Sequence, residues 1–395
     1  MRRLLPVVSV SAVIVALAAC NSTTDGHGTV PAPVVTGSGS GSGSSSPAGT
    51  QPPDLRAMWT TKVGGAPGSE QQLSSGSADT SRVYVSNVSG TVFALNAGTG
   101  KVTWQRQVGN RSGSGVGVVG STLGYLDAND GAYFLSASTG STLWRTANAA
   151  GDNGKVFTPV VSSGLVLAGT DGEVTARSLR TGKAAWTNNS DTRSVSLSYP
   201  ASDASHFFAV ITTAYNVRTA AETLVLASLS AKTGHQDWST PLPSGLGSLD
   251  TVLTAGPGIL VVTDHSTNPV SAVLAFDPAT GRQLWKTSMR DLNGGDPTLL
   301  GGQVVFPTLK GVRALSAKDG HEIYTTPLDT GGSTDSAGRC GNYICAVGLH
   351  YVDVLDASGT IVGKADVEDD ADELITSADG SRLYLVGSDA VTRYL

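Results

Sequence analysis

The stretch Ala94-Leu-Asn-Ala-Gly-Thr-Gly-Lys-Val-Thr-Trp104 decides the fold, because its pattern returns along the chain. An apolar residue, a small polar residue, a short gap, Thr-Gly, three residues and a tryptophan recur at Leu135-Ser-Ala-Ser-Thr-Gly140 with Trp144, and, less fully, at Ser178-Leu-Arg-Thr-Gly182 with Trp186. Leu229-Ser-Ala-Lys-Thr-Gly234 with Trp238 and Phe276-Asp-Pro-Ala-Thr-Gly281 with Trp285 complete the clear copies. The series decays to Leu315-Ser-Ala-Lys-Asp-Gly320 with Tyr324 and to Leu355-Asp-Ala-Ser-Gly359 with Gly363, and the remaining tryptophan, Trp59, stands before the first copy. Counted from Trp59, successive slots lie 45, 40, 42, 52, 47, 39 and 39 residues apart. A period of about 40 to 45 residues is that of one propeller blade.

Within a unit, Arg82-Val-Tyr-Val-Ser86 and Thr91-Val-Phe-Ala-Leu95 both alternate with period two and are separated by a tight turn, so they read as a hairpin. Thr-Gly then reverses the chain. Glycine suits a position with positive φ, and the Asn, Ser or Asp that opens the phrase can bond forward into the turn. The tryptophan four residues on falls on the next strand, where its ring can bury against the turn and the neighbouring blade.

Hairpins end near Leu95, Leu135, Ser178, Leu229, Phe276, Leu315, Leu355 and Leu395, which predicts an all-β, eight-bladed propeller of four-stranded antiparallel blades. The last unit lacks its fourth strand, and Met58-Trp59-Thr-Thr-Lys-Val63 is an orphan strand carrying an aromatic. Lending the N-terminal strand to the last blade closes the ring and removes an open edge. Seven blades is the alternative and requires one hairpin to be misread.

The phrases resemble the repeat of the pyrroloquinoline-quinone-like propellers, whose blades carry Ala-x-Asp-x-x-Thr-Gly-x-x-x-Trp. The resemblance covers 55–395. The chain is also similar to the propeller lipoproteins typified by the outer-membrane barrel assembly scaffold, which join a lipobox and a short linker to eight blades. In these families the aromatics at Trp59, Trp104, Trp144, Trp186, Trp238, Trp285 and Tyr324 serve blade packing. Quinoprotein dehydrogenases share the blade, and there the cofactor rests on an adjacent-cysteine disulfide with calcium and an acidic base. This chain has no adjacent Cys-Cys dipeptide and no insertion able to roof a cofactor.

Arg2 and Arg3 precede an apolar run that ends in Leu17-Ala-Ala-Cys20, which reads as a signal peptide over 1–20 and resembles a bacterial lipobox with Cys20 as the lipidated residue. Residues 21–54 are dominated by Gly, Ser, Thr and Pro, too poor in apolar surface to offset ordering, and read as a flexible tether to the propeller at 55–395. A formal net charge of −6 without a basic run argues against nucleic acid or anionic lipid as the main partner. Cys340 and Cys345 are then left to pair, as expected of an exported chain. No His or second Cys pair stands near them at a zinc spacing.

Other chemical signals are weak. The acidic link from Asp366 to Glu373 supplies oxygens that calcium could use, notably Glu368, Asp369, Asp370 and Asp372, but lacks the spacing of a calcium loop. Gly115-Val-Gly-Val-Val-Gly120 spells a dinucleotide fingerprint, yet Ser121-Thr-Leu-Gly-Tyr-Leu126 after it reads as a strand rather than a helix, so it is expected to be a blade link. The histidines never fall at metal-ligand spacing.

Departures from the economical repeat gather in the links between second and third strands and between blades, which share one face of a propeller, opposite the Thr-Gly turns. Tyr215, Asn216 and Arg218 in the fourth hairpin, Asp264 and His265 in the fifth, and Arg111 in an interblade link are the candidate binding residues. The expectation is therefore a monomeric, extracytoplasmic propeller, lipid-anchored to the outer surface of the plasma membrane or facing a periplasm. It is read as a scaffold for proteins or peptides, with no cofactor and no enzymatic activity. The alternatives are a sugar or small-ligand receptor and, less favoured, a quinone-dependent dehydrogenase.

Overall fold

The computed structural model describes residues 55–395 apart from 66–67, 111, 128–130, 148–159, 171–172, 190–197, 217–220, 245, 247–250, 265–271, 293–295, 329–335, 349–350, 368–370, 378–379 and 395. Eight four-stranded antiparallel sheets form a ring, an eight-bladed β-propeller with no helix among the described residues. Blades 1 to 7 occupy 73–107, 112–147, 160–189, 198–241, 251–288, 298–327 and 336–366. Blade 8 joins the strands of 371–394 to Ala57–Lys62, which pairs with Ala390–Tyr394 from Ala57↔Tyr394 to Lys62↔Ala390. The N-terminal strand thus closes the ring.

Hydrophobic clusters straddle neighbouring blades rather than filling single ones. In the second strand of blade 1, Val83 and Val85 pack toward blade 8 while Tyr84 packs toward blade 2. The period of two seen in the sequence therefore sorts side chains between two neighbours, not between core and water. Only the outermost strands keep an exposed pattern, as in Val102–Gln107. A single blade has both faces to cover and depends on the ring for its stability.

What holds neighbours together is the recurring indole. Trp104, on the outer strand of blade 1, lies against the Thr-Gly turn of blade 2, and its Nε1 donates to the carbonyl of Ala137 at 3.1 Å. Gly140 has φ 69°, and a Cβ placed on it would lie 2.7 Å from the indole Cε3. Glycine is therefore required twice, by conformation and by contact. The same bond runs from Trp59 to Ala97 (3.2 Å), Trp144 to Leu179 (2.8 Å), Trp186 to Ala231 (2.7 Å), Trp238 to Pro278 (3.0 Å) and Trp285 to Ala317 (2.9 Å). Two residues beyond the aromatic, Thr61, Thr240, Thr287 and Thr326 donate to the turn glycine's carbonyl at 2.9, 2.7, 3.0 and 2.6 Å.

The decayed slots have local reasons. Tyr324 covers Gly359 but its buried hydroxyl finds no partner, and the Ala357 carbonyl instead accepts from Gln303 Nε2 at 2.7 Å. Burial, with the Asp356 carboxylate nearby, pushes the Tyr324 pKa up to about 12. Gly363, on the outer strand of blade 7, faces blade 8, whose third and fourth strands come from opposite ends of the chain and share no Thr-Gly turn. No turn glycine stands there for an aromatic to cover. Leu55 packs into the cluster at this seam.

Between the first and second strands of blade 7, Cys340 and Cys345 form a disulfide with a Cα–Cα distance of 5.8 Å. The adjoining Gly341 N–H donates to Gly380 O of blade 8 at 2.7 Å.

Removing the indole donor in Trp186→Phe leaves the Ala231 carbonyl without its bond and is expected to cost about 1–2 kcal/mol in urea denaturation, whereas Tyr324→Phe is expected to fall within about 0.5 kcal/mol of wild type. Equal costs for the two substitutions would contradict the proposed bond pattern.

Asp277 and Asp356 open their turns as acceptors. The Ala279 N–H lowers the Asp277 pKa, and the Ser358 hydroxyl leads the donors that lower that of Asp356. Their folded pKa values lie below the ordinary 3.8, so the stability they contribute is complete above that value and lost as pH falls through the lowered ones. Melting temperature is expected to drop below a pH of about 4, less steeply in the Asp277→Asn/Asp356→Asn variant. An unchanged acid limb in that variant would exclude these turns as the source.

Candidate binding face

Antiparallel order within each blade sends the second-to-third turns and the interblade links to one end of the ring. Buried polar residues at the ends of the second strands fix the backbone there. Asn87 Oδ1 accepts from Thr91 N at 2.8 Å and from Ser89 Oγ at 2.9 Å, while its Nδ2 donates to Gln71 Oε1 at 2.9 Å. Asp127, fully buried, accepts from Asn110 N at 2.7 Å and so holds the link into blade 2. Thr308 Oγ1 donates to Gly311 O at 3.0 Å.

Asp264 ends the second strand of blade 5 and is only 2 % exposed. This corrects its reading as a binding-loop residue, since its side chain is buried in the fold and not presented on the face. Arg111, Arg218 and His265 lie outside the described residues, as do Glu368, Asp369, Asp370 and Cys20. Tyr215 and Asn216 lie on the second strand of blade 4, opposite Glu222 and Ala221.

That hairpin departs from the rest of the ring. Its strands, His206–Asn216 and Ala221–Ser230, run to 11 and 10 residues, against 6 for each of the equivalents in blade 1. Pairing continues through Ala214↔Thr223, Tyr215↔Glu222 and Asn216↔Ala221, beyond a register shift at Thr212/Ala214. Among the described residues the inner strand's ladder ends at Ser198↔Val210 and the outer strand's at Val225↔Pro241, with Leu242 N donating to Leu224 O just beyond it. Among the described residues a two-stranded ribbon therefore continues at the loop-rich end past the four-stranded part of its blade.

The acidic link behaves differently at its end. Glu373 is buried in the first strand of blade 8, where Oε2 accepts from Gly76 N of blade 1 at 2.8 Å, so it latches the ring seam. Asp372 lies on the same strand, Ala371–Thr376. Among the described residues no group of three His, Cys, Asp or Glu side chains is arranged to hold a metal ion.

The glycine-rich 115–120 is not a link between blades but part of the inner strand Ser112–Val119. There Val116 N donates to Ser75 Oγ at 3.1 Å, and a Cβ on Gly115 would lie 1.9 Å from that oxygen. Close approach of two inner strands accounts for the small residues.

At the opposite end of blade 4 the structure joins histidines that sequence spacing keeps apart. His206 Nδ1 lies 3.1 Å from Asp203 Oδ1 and its Nε2 3.7 Å from Asp237 Oδ2, while His235 Nδ1 is 3.7 Å from Asp237 Oδ1. The pairing His206↔Ser230, just before the turn that leads to His235, produces this cluster. Only a strand register, not a linear motif, could have revealed it.

Asp127→Ala is expected to free the Asn110 amide, raising its hydrogen-exchange rate well above that of neighbouring strand amides, at a stability cost of about 1–3 kcal/mol. Unchanged protection at Asn110 would show that the carboxylate does not hold the link.

The family model described as Outer membrane protein assembly factor BamB matches residues 49–248 and 221–341. Outer membrane protein assembly factor BamB of Burkholderia pseudomallei (strain K96243) is 29% identical over 387 residues, covering 84% of this chain and 91% of that protein. Among solved structures, BamB from Moraxella catarrhalis superposes with a TM-score of 0.62 at 17% identity, covering 86% of this chain and 99% of that one. Quinohemoprotein alcohol dehydrogenase from Comamonas testosteroni gives 0.63 at 14% identity, covering 86% and 76%, a likeness of fold alone. With its matched residues spanning most of the ring, the chain belongs to the family of the outer membrane protein assembly factor BamB.

Proposed function

We propose that this chain is a protein-binding scaffold of the cell envelope, anchored by lipid on Cys20 and held outside the cytoplasm on the tether of 21–54. The ribbon of blade 4 carries the reading. It is a departure from the repeat that adds nothing to ring closure, yet it continues for several residue pairs beyond the sheet. A ribbon of this kind offers backbone donors and acceptors along both edges, which suits an extended segment of a partner protein. The family description, outer membrane protein assembly factor, agrees with a role in binding other proteins.

A monomer suffices for this role, and the chemistry asked of the chain is binding rather than turnover. Buried caps such as Asn87 and Asp127 keep the surrounding loops in place, so little ordering is lost when a partner docks.

A photo-activated crosslinking residue at Tyr215 or Asn216 tests the site. It is expected to yield adducts of one defined mass in envelope preparations, competed away by excess unlabelled chain, while the same probe at Ser138 on the opposite face gives none. Adducts of equal yield at both positions, or none at the ribbon, would sink the assignment. Globomycin-type inhibition of lipoprotein processing, or Cys20→Ala, is expected to release the chain from the membrane fraction, and continued sedimentation would refute the anchor.

A further inference from the structure

We propose that the Cys340–Cys345 disulfide is a redox-sensitive lock on the seam between blades 7 and 8, and that its reduction by a dithiol opens the ring there first. The inference is independent of the lipid anchor and of the blade 4 ribbon. This seam is where the repeating contact between blades fails. At the seven other seams an aromatic of one blade covers a turn glycine of the next, from Trp59 on Gly100 round to Tyr324 on Gly359. Between blades 7 and 8 the corresponding residue is Gly363, half-buried, and no Thr-Gly turn faces it. Leu55, Val362 and Val367 pack against the apolar cluster there, each only partly buried.

The inner half of the seam is built around sulfur. Cys340 and Cys345 belong to the same apolar cluster as Leu374, Leu383, Leu385 and Tyr394 of blade 8. Their cross-link runs diagonally over the hairpin, since Cys340 pairs with Tyr343 and Cys345 with Gly338. Gly338 has no room for a side chain, because a Cβ there would lie 2.6 Å from Leu374 Cδ2. The hairpin tip is clamped from both sides: Gly341 O accepts from Arg339 Nε at 2.8 Å, and Gly341 N donates to Gly380 O of blade 8 at 2.7 Å. The shape that the disulfide imposes on the hairpin therefore reaches blade 8 through a backbone bond and a close-packed cluster.

Two sulfurs no longer bonded to each other need more room than a bonded pair, and a cluster packed this closely has little to give. Lifting the hairpin off blade 8 relieves the crowding and breaks the bond from Gly341 to Gly380. Blade 8 is also the blade that joins Ala57–Lys62 to the strands of 371–394, so the ring parts beside its own point of closure. Cys340 is 8 % exposed and Cys345 fully buried, so the thiolate of a dithiol attacks the Cys340 sulfur. A mixed disulfide forms on Cys340 while the Cys345 sulfur leaves and takes a proton; the second thiol of the reagent then closes its own disulfide and frees Cys340 as a thiol. Two electrons and two protons pass from the dithiol to the two cysteines.

The test uses the full chain carrying Cys20→Ala, so that Cys340 and Cys345 are its only cysteines, with hydrogen exchange followed before and after dithiothreitol. Reduction is expected to raise exchange by about tenfold or more at the Gly341 amide and in the blade 8 strands of 371–376 and 383–387. The turn amides of Gly140 and Gly234, which bond to Ser136 O and Ser230 O beneath Trp104 and Trp186, are expected to keep their protection. Cys340→Ala/Cys345→Ala removes the tie and the sulfur packing together, and is expected to accelerate the same segments and to ignore dithiothreitol. Acceleration confined to 340–345 would mark a staple within one hairpin, and equal acceleration in every blade would mark general unfolding; either overturns the proposal. So does protection at Gly341 that survives reduction or the double variant, or a disulfide that dithiothreitol leaves intact in the folded chain.

Discussion

The ring depends on a contact between an indole on one blade and a carbonyl in the turn of the next. Each such bond joins groups some 32 to 45 residues apart in sequence. A net hydrogen bond contributes only about 1 kcal/mol, but here it comes with burial of a large aromatic against a glycine that has no side chain to interfere. The threonine two residues on adds a second bond to the same turn in several blades. Neighbouring sheets are thereby fixed in position before their inner faces, made of interchangeable aliphatic side chains, have to fit.

This contact also explains why so much was legible. A residue whose niche repeats must repeat itself, so Trp59 to Tyr324 and the turn glycines stand out, and with them the blade count and the closure by the N-terminal strand. The threonine bonds were written just as openly, two residues past four of the aromatics, but threonine is too common in strands to be noticed without the turn it reaches. Even the loss at Gly363 is informative. It falls at the one junction where the facing strands are not joined by a turn.

Legibility ends where position depends on register or on the direction of a side chain. Asp264 and Asp127 each end a second strand and look in sequence like exposed loop acids, yet both are buried, Asp127 as the acceptor for the Asn110 N–H. Glu373 sits at the end of an acidic run and looks like its neighbours, but one more residue into the strand turns its carboxylate toward Gly76 of the first blade. The His206, Asp237 and His235 grouping needs the hairpin register and a turn before it exists at all. Spacing along the chain carries no record of these meetings.

The same division separates what the repeat constrains from what it leaves to vary. Glycine, aromatic and core positions are held by packing, whereas the residue after each turn glycine faces water. Lys101, Lys183 and Arg282 sit at one such position in three different blades, so scattered single cations in the sequence become neighbours on one end of the molecule. A repeat architecture can thus gather residues that are far apart in sequence on one end of the ring, while a single departure from the repeat, the long hairpin of blade 4, marks the other.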